Sequence, residues 1–141
     1  MTKFILVCLI TTVLLTTAPA ALAQQTGKIF RIGFLDSSTA AGSAVLLESL
    51  RQEMRKLGWI EGKNITIEHR FAEGKPERLP ELAAELVRLK VDLIVVLGIS
   101  AALVAKKATA TIPIVMTAAG DPVYSGLVAS LARPGGNVTG L

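Results

Sequence analysis

The ten residues 91–100, VDLIVVLGIS, constrain the fold of this chain more than any other stretch. They make an apolar run of strand length, rich in Val and Ile, with one charge near the start. Gly98 and Ser100 close it, just before a helical-looking segment over residues 101–108. A strand wet on one face alternates apolar and polar residues, whereas one covered on both faces does not. Leu93 to Leu97 therefore reads as a central strand of a parallel sheet flanked by helices. In such open sheets ligands sit outside the carboxyl ends of the strands, where Gly98 to Ser100 would lie.

The rest of the chain alternates strand and helix around that run. Residues 29–35, IFRIGFL, read as a first strand that ends at a loop of small and polar residues over 36–43. Leu47, Leu50, Met54 and Leu57 then recur at helical spacing, with Glu48, Arg51, Gln52, Arg55 and Lys56 opposite, and Gly58 is placed to end that helix. Residues 64–71 alternate Ile65, Ile67, His69 and Phe71 against Thr66, Glu68 and Arg70, which suits a strand nearer the sheet edge. Trp59, just before it, is expected to pack under the helix-to-strand turn. A second amphipathic helix buries Leu79, Leu82, Ala83, Leu86 and Leu89, with Glu77, Glu81 and Glu85 outside, near the end that the helix dipole makes favourable for negative charge. After the central strand and the helix over 101–108 come a short apolar strand at 113–117, a loop at 118–121 and a further short helix at 122–131. A Pro-Gly-Gly turn at 133–137 leads to the start of a fifth strand at 138–141. This βαβαβαβα(β) order implies an α/β fold with a doubly wound parallel sheet. Right-handed crossovers and the strand order 2-1-3-4-5 put residues 91–97 in the middle.

The amino terminus stands apart. Lys3 is followed by an uncharged, mostly apolar run over residues 4–17, then Pro19 and the small residues leading to Ala23. A positive n-region, a short apolar region and an Ala-x-Ala site make residues 1–23 a secretory signal peptide, cleaved after Ala23, so the expected location is the periplasm. Membrane anchoring without cleavage takes roughly 20 apolar residues, more than this run supplies. The segment also inflates the mean hydropathy of +0.55. Cys8, the one cysteine, lies inside the apolar run with Val7 before it, not at a lipidation site. The mature chain therefore has no thiol for disulfides, thiolate catalysis or Cys-based metal sites, and its lone His69 cannot build a His cluster. Without Lys3 the net charge falls from +4 to +3, with no block of like sign, so nucleic acid is not an expected partner.

Catalytic machinery is equally hard to find. The loop after the first strand, DSSTAAG over residues 36–42, is neither G-x-G-x-x-G nor G-x-x-x-x-G-K-[ST], which argues against a nucleotide site. Asp36 stands alone at that strand end, and no Ser-His-Asp set is visible because Glu68 points away from His69. His69 reads as an ordinary strand residue. No enzyme activity, metal or cofactor is expected. What remains is a row of small polar groups at strand ends: Ser37, Ser38 and Thr39 after strand one, Phe71 to Glu73 after strand two, Gly98 to Ser100 after strand three, and Gly120 and Asp121 after strand four. Each has a structural reading. Ser100 can cap the helix that follows, Ser43 or a neighbour the first helix, and Asp121 before Pro122 makes a good N-cap. Asn64 and Asn137 each begin a glycosylation triplet, a pattern short enough to recur by chance.

Two long phrases carry a resemblance: LGWIEGKNITIEHRFAEGKPERLPELAAELVRLKVDLIVV over residues 57–96 and IPIVMTAAGDPVYSGLVASLARPGGNVTGL over 112–141. They resemble the bacterial ABC-transporter substrate-binding proteins, a family that includes tryptophan- and aromatic amino-acid-type members. The resemblance implies a type I periplasmic-binding-protein lobe over residues 24–141, with the second lobe absent and residues 137–141 running toward the first hinge crossing. It implies a solute-binding component of an ABC importer that captures a small organic ligand, such as an amino acid, and delivers it to an inner-membrane permease. It also implies that Ser37, Ser38, Gly98, Ser100 and Asp121 face the cleft. Asp121 would meet a ligand ammonium, and Ser100 with its helix N-terminus a carboxylate. A periplasmic sensing module for a membrane sensor, or a truncated remnant, are the alternatives.

Overall fold

The structure, a computed structural model, describes residues 27–117, 121–130 and 135–140. The expected signal peptide with Cys8 and Ala23, Gly120, and the first part of the Pro-Gly-Gly turn lie outside the described residues. Five parallel strands form one sheet: β1 (Phe30–Asp36), β2 (Ile65–Phe71), β3 (Leu93–Leu97), β4 (Ile114–Thr117) and β5 (Val138–Gly140). Their order is β2-β1-β3-β4-β5, so the apolar run at 93–97 is the central strand and β2 an edge, as the alternation of β2 indicated. The helices are α1 (Ala40–Lys56), α2 (Leu79–Arg88), entered through a 3-10 turn at Pro76–Arg78, and α3 (Ile99–Ala108). This is a doubly wound α/β lobe.

Strand parity divides the core in two. Ile32, Phe34, Ile65, Ile67 and Val95 point to one face, where Leu47, Leu50 and Met54 of α1 cover them. Leu35, Ile94, Val96, Ile114 and Met116 point to the other, under Leu79, Leu82 and Leu86 of α2 and Ala101, Ala102 and Ala105 of α3. Small residues on α3 let it lie close over the central strand. At Gly33 an added Cβ would come within 3.0 Å of the Leu86 side chain, so the glycine sets how near α2 approaches β1. Trp59 meets Phe30 edge to face at 5.5 Å, packing at the amino end of β1 as expected of a residue under the helix-to-strand turn.

Two local expectations need correction. Residues 122–126 form a hydrogen-bonded turn rather than the start of a helix, with Ser125 and Gly126 amides returning to the Asp121 and Val123 carbonyls. Gly126 takes a φ of 72°, which an α-helix cannot continue through. The turn still buries Leu127 and Val128 against the α3 side of the core. The third helix begins at Ile99, two residues early, because Gly98 rather than Ser100 holds the N-cap position.

Candidate ligand-binding site

Parallel register brings the carboxyl ends of four strands side by side. Asp36 is level with Phe71 of β2 on one side and Leu97 of β3 on the other, and Leu97 is level with Thr117 of β4. At roughly 4.8 Å per strand, the carboxyl ends of β1 and β4 are about 10 Å apart with the end of β3 between them. Ser37 and Ser38 leave β1, Gly98 and Ser100 leave β3, and Asp121 lies a few residues after β4 ends. The register therefore gathers Ser37, Ser38, Gly98 and Ser100 along one edge of the sheet. Asp121 follows residues outside the described set.

The β1 loop is tightly held. Asp36 is 1% exposed at the strand end, on the α1 side of the sheet. Its carboxylate accepts the Ser38 amide at 3.0 Å, the Ser38 hydroxyl at 2.7 Å, and the hydroxyl of buried Ser43 in the first turn of α1. Ser38 and Ser43 hydroxyls are also 2.7 Å apart. The loop after β2 fastens the other side, with the Glu73 amide donating to the Ser38 carbonyl at 3.0 Å and the Gly74 amide to the Ser37 carbonyl at 2.9 Å. Ser43 is thus not a cap. Thr39 has that role, its Oγ1 accepting from the Gly42 amide at 3.1 Å.

The β3 loop is built differently. Gly98 has φ 82° and ψ 164°, a region essentially restricted to glycine, and no side chain caps α3. The amides of Ile99, Ser100 and Ala101 lack helical carbonyl partners by geometry. Exposed Ser100 sits in that first turn, so the expectation that it caps the helix does not hold, while its place at the helix N-terminus does. Asp121 does cap locally, with Oδ1 accepting the Val123 amide at 2.8 Å and the Tyr124 amide at 3.0 Å, although what it caps is a turn. Positive amides at the β3 end and hydroxyls backed by a carboxylate at the β1 end give this edge of the sheet two polarities.

Sequence reasoning left Asp36 standing alone and gave Ser43 a capping role, without joining the two. The signal was present as an acid at a strand end with serines two and seven residues on, but the reach of Ser43 back to Asp36 depends on how α1 packs. Among the hollows elsewhere in the described residues, one of about 270 Å³ is walled by Arg51, Arg55 and Glu61, and two are apolar. One of about 390 Å³, lined by Phe30, Met54, Trp59 and Leu93 among others, opens at the amino ends of β1 and β3. Another, of about 200 Å³, runs beside α1 between Leu46, Leu50, Val95 and Thr117. Both are apolar seams left where one helix covers several strands. Among the described residues no three His, Cys, Asp or Glu side chains gather to hold a metal, and no helix is long and apolar enough to cross a membrane.

Comparison with known proteins points one way. The profile of the family described as ABC transporter substrate binding protein matches residues 40–141. A tyrosine-binding protein of Clostridioides difficile (strain R20291) is 43% identical over 83 residues, 59% of this chain and 24% of the relative. The ligand-free, open structure of a substrate binding protein with adhesive properties from Clostridium difficile superposes with a TM-score of 0.74 at 31% identity, covering 79% of this chain and 38% of that one. The structure of an ABC domain in complex with L-Trp from Streptococcus pneumonia gives 0.73 at 28% identity, over 79% and 38%. The chain spans about a quarter of the curated relative's length and under two-fifths of these solved chains. With the profile running through α1, the sheet from β2 onward and the segments that follow β2, β3 and β4, the chain belongs to the ABC transporter substrate binding protein family.

Proposed function

We propose that this lobe is one wall of a solute site in an ABC import system, exported to the periplasm after cleavage behind Ala23 and serving an inner-membrane permease. Its ligand is a small organic solute, an amino acid foremost. The observation that carries this reading is the convergence of two unlike ends along one sheet edge: the Ser37–Ser38 loop and the uncapped N-terminus of α3. Helix N-terminal amides suit a carboxylate. Ser38 and Asp121 offer acceptors for an ammonium. The tyrosine and tryptophan named for the two relatives support a zwitterionic ligand. Ligand capture works by binding alone, with no catalytic group, metal or cofactor required. Closure on a ligand needs a facing wall, and one sheet supplies one wall, so the second is expected from residues outside this sequence.

The test is a thermal-shift comparison of residues 24–141 with a version completed by the second lobe of a close relative, both screened against L-tyrosine, L-tryptophan and other amino acids. A ligand at a hundredfold excess over its Kd stabilises the native state by about 2.7 kcal/mol. The completed protein should show a clear rise in melting temperature with at least one amino acid, and Asp121→Ala together with Ser100→Ala should reduce it. No response from the completed form to any amino acid contradicts the reading.

A further inference from the structure

Asp36 is the one buried carboxylate among the described residues, and a buried carboxylate is costly unless its oxygens are hydrogen-bonded. Its partners make a closed triangle. Ser38 Oγ lies 2.7 Å from Asp36 Oδ2 and 2.7 Å from Ser43 Oγ, and Ser43 Oγ bonds the same Oδ2. Each hydroxyl owns one proton and an ionised carboxylate owns none, so two protons serve three short contacts. The Ser43 hydroxyl donates to Asp36 Oδ2, and the Ser38 proton is then claimed by Asp36 Oδ2 and by Ser43 Oγ, each 2.7 Å away, because lone pairs facing each other at that distance repel. Either acceptor draws the Ser38 proton into the triangle. The Thr39 carbonyl, 3.4 Å from Ser38 Oγ, is a longer-range competitor and also an acceptor within the loop. Of the three triangle residues only Ser38 is partly open to solvent, since Asp36 and Ser43 are each 1% exposed. The Ser38 backbone is fixed as well, its amide by Asp36 and its carbonyl by Glu73.

We infer that Asp36 and Ser43 are positioning residues that hold the Ser38 hydroxyl proton inward, so that Ser38 Oγ meets the crevice as an acceptor and takes the N–H-bearing end of the solute. The inference rests on the reading of this crevice as a solute site. It adds a direction: the nitrogen end lies over the β1 loop and the acidic end over the N-terminus of α3. A ligand lacking the donor leaves the Ser38 lone pairs unmatched, and polar groups left unpaired in a closed site discriminate strongly.

Two measurements separate this inference from the functional reading beneath it. The first needs no ligand: NMR of serine hydroxyl protons in the chain at low temperature. The Ser38 proton should exchange with water far more slowly than that of exposed Ser49, and Asp36→Asn should release it while the amide spectrum stays native. A Ser38 proton exchanging as fast as Ser49 in the wild type overturns the inference whatever the protein binds. The second compares L-tyrosine with its des-amino analogue, 3-(4-hydroxyphenyl)propionate, by NMR titration of wild type, Ser38→Ala and Ser43→Ala. The wild type should prefer the amino acid, and Ser38→Ala should lower that preference about tenfold or more. Ser43→Ala should lower it less. Equal weakening of both ligands marks a merely structural role and overturns the inference. A wild type with a protected Ser38 proton that binds neither probe overturns the solute reading and leaves the hydroxyl geometry standing.

Discussion

His69 couples the edge strand to pH. Its Nε2 lies 3.2 Å from Arg51 Nη2, its ring stacks on Phe71, and Arg51 is tied to Glu61 at 2.7 Å. A guanidinium only donates, so this contact suits a neutral imidazole accepting at Nε2. Burial first, and the Arg51 charge second, hold the His69 pKa below its ordinary 6.5. Between the folded and unfolded values the unfolded chain binds more protons, so the contribution is complete above 6.5 and is lost as pH falls toward the folded value. Urea midpoints measured from pH 8 to 5 should fall for the wild type over that window and flatten in His69→Gln, and parallel curves contradict the assignment. The two glycosylation triplets resolve at the same scale. Asn64 bridges the Gly58 carbonyl and the Ile60 amide, and Asn137 Nδ2 donates to the Thr109 and Ile112 carbonyls at 3.0 and 2.8 Å. Both side chains are structural ties across loops, a role that a three-residue pattern cannot express because their partners lie elsewhere in the chain. Asn137→Ala should cost about 1–3 kcal/mol in chemical denaturation, as expected for stranded carbonyls, and an unchanged midpoint contradicts the tie.

Helix starts decide what the strand-end loops can offer. At α1 the Thr39 hydroxyl caps the first turn, which frees Ser43 to reach Asp36, and Thr39→Ala should cost about 1 kcal/mol. At α3 the start depends on Gly98, whose Cβ would meet nothing within 4 Å, so the obstacle to a side chain is backbone conformation rather than space. Gly98→Ala should therefore cost about 1–3 kcal/mol and shift the amides of residues 99–101, read as lost stability together with local changes in amide spectra. Retained stability and an unchanged spectrum sink that account. Periodicity made α1, α2 and the central strand legible in the sequence, because Leu47, Leu50 and Met54, and Leu79, Leu82 and Leu86, bury a face each. It misread residues 122–130, where Asp121 and Pro122 begin a helix-like turn that the positive φ of Gly126 stops, while residue 131 lies outside the described residues. Cap chemistry announces the start of an element and says little about its length. The site was legible as a row of strand ends, while the Asp36 triangle required the packing of α1 on the sheet.

At the scale of the whole molecule, the β2-β1-β3-β4-β5 order follows from right-handed crossovers around one doubly covered strand, and it lines up the carboxyl strand ends as a by-product of register. The same winding leaves α1 as the helix that covers its face among the described residues, over β2, β1 and β3, and so produces the apolar hollows near Trp59 and Leu46. A ligand has two competing places to go: the polar strand ends or these seams. Amide chemical-shift mapping of uniformly 15N-labelled protein during titration with L-tyrosine decides between them, and it detects the weak binding expected of a single wall. The account predicts that Ser37, Ser38, Gly98, Ile99, Ser100 and the Asp121 turn shift together, while Phe30, Met54 and Trp59 stay still. Shifts confined to the Phe30, Met54 and Trp59 hollow, with the strand-end loops unmoved, would contradict it.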